Sequence, residues 1–140
     1  MHPLRVLHVE DDFADAMLLQ HALCDAGAYD FDLEVVRTLR DARAKLSRSR
    51  YDLIIADLRL PDSTDPNGTV SLLERCAAGA PILVLTRSAS VDSERIGASV
   101  TVLDKNASFH KRDDRKSRAL LARVREAVES SGEGDDALIL

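Results

Sequence analysis

Tyr51-Asp-Leu-Ile-Ile-Ala-Asp57, continuing as Leu58-Arg-Leu-Pro-Asp62, is the stretch that decides how this chain folds. Leu53, Ile54, Ile55 and Ala56 form a short continuous apolar run, the pattern of a central strand covered on both faces. The run stops on a carboxylate, Asp57, at what should be the C-terminal edge of the strand. In an open α/β sheet, ligands bind in the crevice beyond that edge.

Working outward, the same pattern recurs. Leu4-Arg-Val-Leu-His-Val9 reads as a first buried strand running into Glu10, Asp11 and Asp12. Asp12 suits the N-cap of the helix that follows, since its carboxylate can accept from free N–H groups of the first turn. That helix is expected from Ala14 to Ala26, with Met17, Leu18, Ala22 and Cys24 to Ala26 as its apolar positions and Gly27 as its stop. Phe31 to Arg37 alternates apolar and charged residues, as an edge or near-edge strand does. Leu39, Ala42, Ala44 and Leu46 give a second helix whose outer face carries Arg40, Arg43, Lys45, Arg48 and Arg50, read as an ordinary solvated face.

Beyond Asp57, residues Leu58 to Gly68 are crowded with turn formers and read as a long loop. Thr69 to Ala78 is expected as a third helix ended by Gly79, and Pro81 to Thr86 as a fourth strand. Arg87 to Ile96 has little apolar periodicity, so a helix there is short. Ser99 to Leu103 makes a fifth strand, followed by Asp104-Lys105. A final helix runs from about Asp113 to Glu129 on Leu120, Leu121, Val124 and Val128. Strand and helix alternate about five times, which argues a parallel sheet with helices on both faces.

The 140 residues, 45% of them apolar, suffice for one core and one compact domain. The net charge of -5 reads as mixed signs with no basic stripe, which argues against nucleic acid as a partner. Cys24 and Cys76 sit in separate apolar segments and read as two buried free thiols in a reducing compartment. No signal peptide or apolar run of membrane-spanning length is present in these residues, so a cytoplasmic location without membrane contact is expected.

Strands one, three, four and five would deliver Glu10 and Asp11, Asp57, Thr86 and Lys105 to one end of the sheet. Carboxylates brought this close repel one another unless a cation shares the site. An all-oxygen donor set of high charge favours a hard cation, and Mg2+ leaves positions free for water and a phosphoryl group. A carboxylate can attack phosphorus and carry it as an acyl phosphate. The Lys105 ammonium and the Thr86 hydroxyl would complete a cradle for the phosphoryl oxygens.

Val9-Glu-Asp-Asp12, Tyr51 to Asp57, Leu60-Pro61, Val84-Leu-Thr86 and Leu103-Asp-Lys105, in this order and spacing, resemble the receiver domain of bacterial two-component response regulators. The resemblance covers Leu4 to about Ser130. It implies a flavodoxin-like, doubly wound five-stranded parallel sheet of order 2-1-3-4-5 with about five helices, the fourth shortened. It implies that Asp57 is the phosphoacceptor, with Thr86 and Lys105 assisting. Glu10 and Asp11 would form the acidic pair holding Mg2+ together with Asp57 and the backbone carbonyl of Arg59. It further implies a sensor histidine kinase as phosphodonor, and a downstream or phosphotransfer protein as recipient of the signal.

Four features depart from that family. Asp65-Pro-Asn looks like an insertion in the loop after Asp57. The interval from Thr86 to Lys105 is short. Val102 stands where a switch aromatic is usual, and Asn106 where a proline is usual. Val102 cannot swing a ring into space vacated by Thr86, so phosphorylation is expected to displace Thr86 without a coupled ring movement. Arg87 is bulky for its position and is expected to restrict access of water and small phosphodonors. Residues 1–131 read as a stand-alone receiver domain. Residues 132–140 read as a tail, either loose or docking on a partner or on a second copy in a homodimer. A competing reading keeps the fold as a pseudo-receiver that ignores phosphate. A phosphatase of the aspartyl-nucleophile type would need an acid two residues after Asp57, where Arg59 stands.

Overall fold

The computed structural model describes residues 3–26, 30–62, 65–86, 100–104 and 119–129. Strands β1 (Leu4–Val9), β2 (Phe31–Val36), β3 (Leu53–Asp57), β4 (Ile82–Thr86) and β5 (Val100–Asp104) form one parallel sheet of order 2-1-3-4-5. All five residues of β3 are buried, as its unbroken apolar run requires in the centre of a doubly covered sheet. β2, with charged residues in alternation, lies at the edge.

Helices α1 (Phe13–Ala26), α2 (Leu39–Arg48) and α3 (Pro66–Cys76) follow the first three strands, and α4 spans residues 119–129. Strand residues alternate between two cores, because successive side chains point to opposite faces. Leu7, Val9, Ile54, Ala56 and Val84 pack with Leu39 and Ala42 of α2 and Val70 and Leu73 of α3. Val6, Leu53, Ile55, Leu83 and Leu85 pack with Leu19 and Leu23 of α1 and Leu120 and Val124 of α4.

Several expectations are corrected. α3 begins at Pro66, three residues before Thr69, because Asp65 caps it and proline is well placed in a first turn whose N–H groups have no helical acceptor. Its carboxylate accepts from the Asn67 N–H at 3.2 Å and its carbonyl from the Thr69 N–H at 2.9 Å. The Asp65-Pro-Asn insertion is therefore the start of a helix. The helix stops where Ala78 and Gly79 both take positive φ, 53° and 89°. β5 is displaced by one residue toward Asp104. Met17 is not a core residue, since Ala16, Leu19, Ala22 and Leu23 form the buried stripe of α1 and Met17 lies off it. Both cysteines are free, but neither is buried: Cys24 is exposed and Cys76 half-buried.

The short helix expected within 87–96, Arg87, Lys105, Asn106, the first residues of the final helix and the 132–140 tail lie outside the described residues. No described helix is long and apolar enough to cross a membrane.

Candidate functional site

β1 and β3 are neighbours in parallel register with Val9 beside Ala56, so the next residue of each chain, Glu10 and Asp57, emerges at the same level. The Glu10 N–H continues the ladder onto the Val36 carbonyl at 2.8 Å, which fixes where β1 ends. Asp11 follows on the turn into α1. Glu10, Asp11 and Asp57 each offer a carboxylate oxygen, and these atoms lie within 4.8 Å of one another. Glu10 and Asp57 are buried and Asp11 partly so.

Asp57 is oriented from its C-terminal side. The Arg59 N–H donates to Asp57 Oδ1 at 2.9 Å. Leu58 and Leu60 are buried in the core on the α2–α3 face, so the chain on both sides of Arg59 is pinned while its side chain stays exposed. The expectation for Arg59 concerned its carbonyl; the contact found is its amide. Asp12 takes the role read for it, accepting the Asp15 N–H at 3.1 Å. Asp15, which sequence patterning did not single out, is buried in the first turn of α1, where the positive end of the helix favours an acid.

Of the remaining candidates, Thr86 is the last residue of β4, one step beyond Leu85, the register partner of Asp57. Its own partner is Asp104, the last residue of β5. Lys105 comes next in sequence, outside the described residues. The strand order and register thus bring the termini of β1, β3, β4 and β5 to one edge.

The donor set fits a hard divalent cation. Three carboxylates converge, two of them desolvated, and mutual repulsion at that spacing is relieved by Mg2+ with its preference for oxygen. Beside the acids lies a groove of about 480 Å³ whose walls include Glu10, Asp11, Phe13, Met17, Val35 and Arg37. Phe13, Met17 and Val35 are 78%, 42% and 45% exposed, and they are the large hydrophobic residues left exposed among the described ones. Their convergence on one groove was not legible in the sequence, because Phe13 and Met17 come from α1 and Val35 from the edge strand.

No family model matches the chain. The swarming motility regulation protein RssB of Serratia marcescens is 38% identical over 107 residues, covering 75% of this chain and 44% of RssB. The regulatory protein LuxO of Vibrio cholerae is 35% identical over 85 residues, covering 61% of this chain and 18% of LuxO. The chain thus spans less than half the length of these curated relatives. Among solved structures, the CheY-like response regulator receiver domain protein of Methanospirillum hungatei matches with a TM-score of 0.74 at 20% identity, covering 95% of this chain and 99% of that one. The signal receiver domain of a LuxO repressor protein from Vibrio parahaemolyticus matches at 0.74 and 25% identity, covering 97% and 98%. With the 2-1-3-4-5 sheet and the acidic cluster at its edge, the chain has the fold of the CheY-like receiver domains it matches and is similar in sequence to parts of RssB and LuxO.

Proposed function

We propose that residues 1–131 act as a phosphorylation-controlled signalling domain in the cytoplasm, with Asp57 as phosphoacceptor. The observation that carries this reading is the convergence of the Glu10, Asp11 and Asp57 carboxylates within 4.8 Å, with Asp57 fixed by the Arg59 amide. An Asp57 carboxylate oxygen attacks the phosphorus of a phosphohistidine on a sensor kinase. The P–N bond breaks, the P–O bond of an acyl phosphate forms, and the imidazole nitrogen leaves with the electron pair. Glu10, Asp11, Asp57 and the Arg59 carbonyl would hold Mg2+, which when bound would neutralise negative charge at the phosphoryl group. Thr86 and Lys105 complete the cradle with a hydroxyl donor and an ammonium.

The domain catalyses only its own phosphorylation and dephosphorylation. Its signal passes by contact with a downstream protein or by onward phosphotransfer. The groove formed by Phe13, Met17 and Val35 borders the acids and would seat an apolar ridge of the phosphodonor protein, bringing its phosphohistidine to Asp57. The test is intact-mass measurement after incubation with a small phosphodonor and Mg2+. Wild type is expected to gain one phosphoryl group and Asp57→Asn none. Failure of every donor and kinase to add phosphate would favour a pseudo-receiver.

A further inference from the structure

The basic residues are less scattered than they first read. Arg37, Arg40, Arg43, Lys45, Arg48 and Arg50 fall within fourteen residues that hold one acid, Asp41, so this segment carries a net charge of about +5 in a chain of -5. Structure gives that segregation a location. α2 buries Leu39 and Ala42 and leaves Arg40, Arg43 and Arg48 exposed. Lys45 is paired with Glu34 at 3.6 Å, whereas Arg40, Arg43, Arg48 and Arg50 form no ion pair with a described residue. A groove of about 430 Å³ runs between α2 and α3, lined by Arg40, Arg43, Ala44, Leu46, Ser47 and Cys76. It combines an apolar floor with two guanidinium groups that pair with no described residue.

We propose that this groove is the docking site of the chain's own segment Glu133-Gly-Asp-Asp-Ala-Leu-Ile-Leu140. Three arguments select that occupant. Glu133, Asp135 and Asp136 are followed directly by four apolar residues, the complement of arginines bordering an apolar floor. The tether is comparable with the thickness of the domain: the seven residues between Glu129 and Ala137 extend up to roughly 25 Å. Helix layers on opposite faces of a sheet are about 20 Å apart, and α4 and the α2–α3 pair lie on such faces. Finally, the remainder of the chain is strongly acidic, which repels a long polyanion such as nucleic acid but tolerates a short tethered peptide. Docking joins the two faces of the domain across its edge, independently of whether Asp57 accepts phosphate.

The two cysteines provide the readout in the full chain. Cys76 lines the groove, whereas Cys24 sits exposed on α1, on the other face. Iodoacetamide alkylation of each thiol is followed by peptide mass. Reversing the acids with Glu133→Lys, Asp135→Lys and Asp136→Lys is expected to speed alkylation of Cys76 about fivefold, as when a segment docked most of the time is released, and to leave Cys24 unchanged. Arg40→Glu with Arg43→Glu should do the same, and combining both sets should restore protection. An unchanged Cys76 rate in either charge-reversed protein overturns the proposal. So does protection that grows with protein concentration, which would place the segment on a second copy, or protection in the wild type that only added nucleic acid confers.

Discussion

The Asp62 carboxylate receives the Leu39 backbone N–H on Oδ1 at 2.9 Å, and its Oδ2 receives that of Arg40 at 3.0 Å. Asp62 lies five residues beyond Asp57, so the loop leaving the acidic site is tied to the first turn of α2. With Thr38 Oγ1 accepting from Asp41 at 3.0 Å, three otherwise free N–H groups of α2 are satisfied.

Asp62→Ala should therefore destabilise the domain by about 1 kcal/mol, in the range of losing a helix cap. The Leu39 N–H, then that of Arg40, hold the Asp62 carboxyl below its usual range against the opposing effect of burial. A depressed carboxyl contributes stability above its unfolded value and loses it as pH falls through the folded one. The difference between wild type and Asp62→Ala in urea unfolding should be full at neutral pH and shrink below about pH 4.

Tyr51 and Glu34 form a second titrating pair. The Tyr51 hydroxyl donates to Glu34 Oε2 at 2.6 Å, while Lys45 and Arg5 stand 3.6 and 3.8 Å from the same carboxylate. Burial, and then the hydrogen bond to Glu34, push Tyr51 up to about 12; the same hydrogen bond is the largest influence lowering Glu34. A raised phenol stabilises the fold at every pH below its unfolded value near 10, and that contribution fades as pH rises toward 12. Tyr51→Phe should cost about 1 kcal/mol at pH 7 and flatten this alkaline loss. Tyrosinate absorbance in Tyr29→Phe should show the remaining phenol ionising near 12, and a midpoint at 10 would contradict the pairing.

Convergence of Glu10, Asp11 and Asp57 makes metal binding a stability effect. Mg2+ should raise the thermal midpoint of the wild type in a concentration-dependent way. Asp57→Asn should raise the midpoint without Mg2+ by a few degrees, because one of three repelling charges is gone, and should blunt the response to the ion. Equal Mg2+ responses in wild type and Asp57→Asn would place the ion elsewhere.

Phe13 and Met17 offer a way to separate docking from chemistry. Both are exposed, so Phe13→Ala and Met17→Ala should change stability by less than about 0.5 kcal/mol. Phosphotransfer from a partner kinase should fall about tenfold in Phe13→Ala, as for an aromatic anchor at an interface. Phosphorylation by a small donor should be unaffected. A parallel loss with both donors would move Phe13 from docking to the acidic site.

The amino-acid sequence by itself determined the sheet and the acids at its edge. Uninterrupted apolar runs such as Leu53 to Ala56 are compatible with little other than buried parallel strands, and each must end where the apolar run ends. Glu10, Asp11 and Asp57 were legible for that reason: their positions follow from strand periodicity and from a parallel register. What only the tertiary structure decided are the relationships between elements distant in sequence. The Asp62 cap on α2 joins residues twenty-three apart, and turn-rich composition around it showed a loop without showing its partner. Leu58 to Gly68 read as one long loop because turn formers and helix caps are the same residue types; the N–H groups that Asp65 receives make it a cap, and α3 begins at Pro66. Phe13, Met17 and Val35 became a surface, and Arg40 and Arg43 a groove wall, only once packing had fixed which faces of α1 and α2 were consumed by the core. Periodicity says which residues can be buried together, while the partners across a sheet or between helices are chosen by long-range packing that no local pattern encodes.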